Sequence, residues 1–78
     1  MRTLEQMAKM NLFYPNLRAE MARTDKRGKE VAEAAHMSPS TFSQKLKGKR
    51  GFTLDEAVRV KSYLGVDLPL EILFVKVL

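Results

Sequence analysis

Val31–Leu46 reads VAEAAHMSPSTFSQKL, and this stretch decides the fold. Val31, Ala32 and Ala35 give a short helix one apolar side. His36-Met37 interrupts it, and Ser38-Pro39 opens a second helix. Two short helices joined by three or four residues form a helix-turn-helix, whose second helix fits the major groove of DNA.

The local chemistry supports both helices. Helix two is placed at Lys29–Ala35, where the small Ala32 allows close approach of its partner. His36 ends it in a left-handed or bridging conformation, which histidine tolerates better than a β-branched residue. Ser38 is the N-cap of the next helix, residues 39–47. Pro39 takes its first position, where a missing N–H does no harm. Phe42 and Leu46 form its buried stripe. Ser40, Thr41, Ser43, Gln44, Lys45 and Lys47 form the opposite face, which carries no acid. Hydroxyl, amide and ammonium groups suit base edges and phosphates. Gly48 stops the helix.

Working outward, KRGK precedes this unit and KGKR follows it. Arg23–Arg50 holds eight Lys/Arg against three acids (Asp25, Glu30, Glu33); the remainder holds six of each, so this window carries the whole +5 excess. A basic face is the footprint expected for a polyanionic partner. Seventy-eight residues make one small domain with no room for a deep substrate cavity. With no cysteine, disulfides and thiolate metal sites are excluded, and a reducing, cytoplasmic setting is the expectation. The longest apolar run, Ile72–Val75, is too short to span a membrane.

Helix signals dominate the rest of the chain. Residues 1–13 read as a loosely ordered leader, although Thr3–Gln6 matches a capping box. Helix one is predicted at Leu17–Thr24 with Asn16 as its N-cap, followed by a polar turn at Asp25–Gly28. Thr53-Leu54-Asp55-Glu56 is a complete capping box for a fourth helix ending at Leu64 before Gly65, with Leu54, Ala57, Val58 and Leu64 towards the core. A last short helix begins after Asp67, with Pro69 in its first turn and Leu70, Leu73 and Phe74 as its apolar side. A Phe74–Leu78 alternation is the one hint of a strand.

Together, YPNLRAEMA (Tyr14–Ala22), MSPSTFSQKLKGKRGFTLDEA (Met37–Ala57) and YLGVDLPLEILF (Tyr63–Phe74) make the chain resemble the lambdoid repressor/Cro class of helix-turn-helix regulators. The likeness is strongest to small phage and prophage regulators of Gram-positive bacteria. It covers residues 14–74 and implies an all-α, compact, four- to five-helix lambda-repressor-like domain over residues 14–78. It also implies a sequence-specific double-stranded DNA-binding function, repressing transcription by operator occupancy. Base readout then falls to Ser40, Ser43 and Gln44. Phosphate contacts fall to Arg27, Lys29, Thr41, Lys45, Lys47, Lys49 and Arg50. Two departures stand out: His36 sits where the class usually has glycine, and Pro39 replaces a polar side chain near the start of the recognition helix.

Other readings of the same residues are blander. Gln44 alone is an ordinary solvated glutamine, and Lys47–Arg50 alone an ordinary turn. His36 has no second histidine with which to hold a metal. Asp55 and Glu56 are helix-end charges rather than an acid pair, and the methionines fill gaps in the core. The tail, residues 67–78, is more apolar than one short helix can bury. It either completes the core or forms a homodimer patch, and dimerisation is the reading adopted. The alternative function is a protein-binding helix-turn-helix, an antitoxin or anti-repressor holding its partner by that tail. The sequence offers no nucleophile–base pair, metal ligand set or phosphate loop. No enzyme, cofactor, small-molecule ligand or membrane contact is expected.

Overall fold

The computed structural model describes residues 13–76 and is all-helical over them. Five helices follow in order: α1 Pro15–Arg23, α2 Gly28–Ala34, α3 Pro39–Leu46, α4 Leu54–Leu64 and α5 Leu70–Leu73. The leader expectation falls on residues 1–12, outside the described part. Phe13, which that expectation includes in the leader, packs against the core.

Three successive helices end in the same device. Asp25, His36 and Gly48 adopt left-handed backbone, with φ of 55°, 62° and 81°. In each case the amide of that residue and the next bond back into the helix. Asp25 reaches Ala22 and Lys26 reaches Met21; His36 reaches Glu33 and Met37 reaches Ala32; Gly48 reaches Lys45 and Lys49 reaches Gln44, all at 2.9–3.2 Å. These are Schellman closures, which satisfy carbonyls left free at a helix end. His36 takes the conformation expected of it. Gly48 is also confined from outside: a Cβ there would lie 2.7 Å from the Phe13 ring, so only glycine fits.

Helix starts follow the sequence less uniformly. Ser38 caps α3, its Oγ accepting from the Thr41 amide at 3.1 Å, with Pro39 at the first helical position. Thr53 caps α4 in the expected box, Thr53 Oγ1 accepting from the Glu56 amide and Glu56 Oε1 from the Thr53 amide. Helix one starts earlier than expected. Tyr14, not Asn16, is its N-cap, since Pro15 already supplies the fixed φ of a first helical residue. The Asn16 amide instead donates to the Ile72 carbonyl at 2.9 Å, tying α1 to α5. α2 lies one residue earlier than its expected range, starting at Gly28, and α3 starts at Pro39 as expected but ends one residue sooner, at Leu46.

The core joins Tyr14 and Leu17 to Val31, Ala32 and Ala35, Phe42, Val60 and Leu64, Val66 and Leu73. Phe52 packs edge-on against Tyr14, Phe42 and Phe74, with centroids 5.1–5.8 Å away, an orientation favoured by the ring quadrupoles. α2 packs on both α3 and α4.

One expectation gives way. Leu54 and Val58 do not face the core: they are 71 % and 49 % exposed, and Val60 is fully buried instead. Val60 and Leu64, four apart, set the inward line of α4, and Leu54 and Val58 fall off it. The tail divides between core and surface. Leu73 is fully buried, and Leu68 and Phe74 pack against the core, so these three side chains complete the domain. Only Ile72 and Val75 remain as exposed large apolar side chains there. Phe74 caps α5 rather than starting a strand, and Leu78 lies outside the described residues. Among those residues no helix is long and apolar enough to cross a membrane.

Candidate nucleic-acid interface

The local sequence of α3 sorts its side chains into two sets. Phe42 points into the core and Leu46, one turn on, packs against it. The other side presents Ser40 and Gln44 exposed and Ser43 half-buried, with Lys47 exposed one turn beyond Ser43. Positions 40, 43, 44 and 47 share one helical face. The three residues expected to read bases therefore stand together at the surface, with an ammonium group at the end of their row.

The cationic turn is attached directly to this face. The Lys47 amide donates to the Ser43 carbonyl at 3.1 Å and the Lys49 amide to the Gln44 carbonyl at 3.0 Å. Lys47, Lys49 and Arg50 are exposed, as are Arg27 and Lys29 at the start of α2. Among the described residues none of these five cations enters an ion pair. Solvated cations without protein partners can exchange counterions for phosphate oxygens.

Two members of the expected phosphate set behave differently. Thr41 is half-buried and accepts a hydrogen bond from the Ser38 hydroxyl at 2.9 Å, so it belongs first to the helix cap. Lys45 does not reach outward at all. Its side chain is 8 % exposed and its ammonium lies on Glu56 Oε1, with the Phe52 ring 5.9 Å away. Position 45 is three residues from Phe42 and so lies on the inward side of α3. An ammonium buried there requires a counter-charge, which Glu56 provides. Burial pushes the Glu56 carboxyl up, but Lys45 and the Thr53 amide outweigh it and hold the group below the usual carboxylate range.

Two further cations brace the scaffold. Arg18 donates from Nη2 to the Leu46 carbonyl and from Nε to the Phe13 carbonyl, both at 2.9 Å, so α1 holds the C-terminal end of α3. Lys26 donates to the Tyr63 carbonyl at 2.5 Å and lies over the Tyr63 ring, closing the end of α4. Neither role was legible in the sequence, because neither residue stands at helical spacing from its partner. Arg18 carried one usable signal, being the only base in an otherwise uncharged run from Met10 to Ala19.

Comparison with protein-family models, curated proteins and solved structures returned no match.

Proposed function

We propose that this chain is a sequence-specific double-stranded DNA-binding protein of the lambdoid repressor/Cro type, regulating transcription by occupying an operator. The observation that carries the reading is the continuity of one surface. Ser40, Ser43 and Gln44 stand on an acid-free face of α3, and Lys47, Lys49 and Arg50 follow in a turn hydrogen-bonded to that same helix. Gln44 is the principal base reader, because its amide matches adenine N6 and N7 in a bidentate pair. Ser40 and Ser43 contact neighbouring base edges. Lys47, Lys49, Arg50, Arg27 and Lys29 hold phosphates and fix the register. Lys45 drops out of the contact set, and Thr41 contributes at most its remaining hydroxyl proton.

One α3 covers only a few base pairs, so the proposal includes a two-fold pair of chains reading half-sites about one helical turn apart. The alternative, a partner held by the C-terminal tail, has Ile72 and Val75 to draw on, while Leu73 is buried and Phe74 packs against the core. Selection from a random duplex library at physiological salt tests the reading. Enrichment of a short palindromic site is the expected result. Equal retention of all sequences, or no retention, overturns it.

A further inference from the structure

The best-exposed large apolar side chains among the described residues include Leu54 and Val58, one turn apart on α4. They form a ridge adjoined by two hollows, both bordered by Leu70. One hollow, of about 420 Å³, lies against Leu54, Phe52, Ala57, Leu70 and Phe74. The other, of about 350 Å³, lies against Val58, Lys61, Ser62, Gly65 and Leu70. Its end at Gly65 is open: a Cβ there would meet nothing within 4 Å. A ridge beside a groove is the shape that two helices need in order to interdigitate.

The charges beside the ridge favour a particular occupant. Asp55 and Arg59 lie one turn apart on one flank, both exposed, and neither forms an ion pair among the described residues. In an antiparallel pair of identical helices each flank meets its own counterpart with the order reversed. An acid followed by a base one turn later therefore meets base then acid. We propose that this face of α4 binds the same face of a second copy of the chain, the two helices antiparallel and crossing near Val58. Leu54 of each copy then enters the hollow between Val58, Lys61 and Gly65 of the other. Asp55 of each lies beside Arg59 of the other, twice over. The contact is isologous and closes on itself. The five-cation surface around α3 cannot face its own copy in this way, since like charges would oppose one another.

This surface alone carries the inference, independently of the DNA reading, so its test contains no nucleic acid. Sedimentation equilibrium of the full chain, from micromolar to millimolar concentration, is expected to show a monomer–dimer equilibrium. Leu54→Lys and Val58→Lys replace exposed side chains, so thermal unfolding followed by circular dichroism should be nearly unchanged while association is lost. Asp55→Arg and Arg59→Asp should each weaken association several-fold by opposing like charges. The double variant Asp55→Arg/Arg59→Asp should recover it, and loss of the N-terminal acid of α4 cannot account for that recovery. A chain monomeric at millimolar concentration overturns the proposal and leaves the face to a different protein. A dimer that survives Leu54→Lys overturns it too, as does a double variant no better than the singles.

Discussion

Lys45 and Glu56 bridge α3 and α4, with the Lys45 ammonium on the same Glu56 oxygen that accepts the Thr53 amide. A lysine inside the expected recognition helix is thereby withdrawn from solvent and made part of the joint between the two helices. Lys45→Ala should cost about 1–3 kcal/mol of stability, because Glu56 keeps its desolvation and loses its counter-charge. Its affinity for DNA should fall no more than its folded fraction does, and the slope of affinity against salt should stay unchanged. A flatter slope would place Lys45 on a phosphate.

Lys49→Ala should do the reverse. Fold stability should stay within about 0.5 kcal/mol of the parent. Binding should weaken on specific and random duplex alike, and the logarithmic salt slope should shrink by about 0.9. Titrations by fluorescence anisotropy at several salt concentrations separate the two lysines.

Gln44→Ala should cost about 1–3 kcal/mol on the selected site and relax discrimination at one base position, leaving random duplex almost unaffected. Equal losses on both would remove Gln44 from base readout.

Acid should loosen the α3–α4 joint. The Glu56 carboxyl titrates below its unfolded value, so its contribution is present above about pH 4.3 and is lost as pH falls through the lower folded value. Thermal unfolding between pH 6 and pH 2.5 should therefore show a drop in Tm that is shallower in Glu56→Gln. Equal slopes in the two proteins would contradict the depressed titration.

His36 holds a left-handed conformation that costs a non-glycine residue about 1–2 kcal/mol. His36→Gly removes that cost while adding unfolded-chain entropy, for a net gain of about 0.5 kcal/mol. His36→Val should lose about 1–2 kcal/mol at the same position. Chemical denaturation of the three proteins checks the order Gly, His, Val.

What the sequence disclosed depended on the range of the interaction. Caps and stops are local chemistry, and Ser38-Pro39, the Thr53–Glu56 box, His36 and Gly48 all act where the sequence places them. The face of a helix depends on partners elsewhere in the chain. Leu54 and Val58 are apolar enough for a core position and still point outward, because Val60 and Leu64 take the inward line. Residue type does not tell Lys45 from Lys47; the three-residue spacing from Phe42 turns Lys45 inward, and Glu56, eleven residues on, supplies the counter-charge that lets it stay there. The C-terminal tail reads as too apolar for one helix, yet the aromatic ring set of Tyr14, Phe52 and Phe74 supplies its packing. Of the residues expected at the interface, Ser40, Thr41, Ser43, Gln44, Lys47, Lys49, Arg50, Arg27 and Lys29 are placed at least partly at the surface, and Lys45 is not.

The guanidinium of Arg18, shared between the Phe13 and Leu46 carbonyls, sets how this unit can be transplanted. A graft of residues 27–50 onto another scaffold would carry every side chain of the exposed face. It would leave behind the arginine that finishes α3 and the ring that covers Gly48. A portable version has to begin at Phe13, or else provide its new host with a donor and an aromatic plate at those two points.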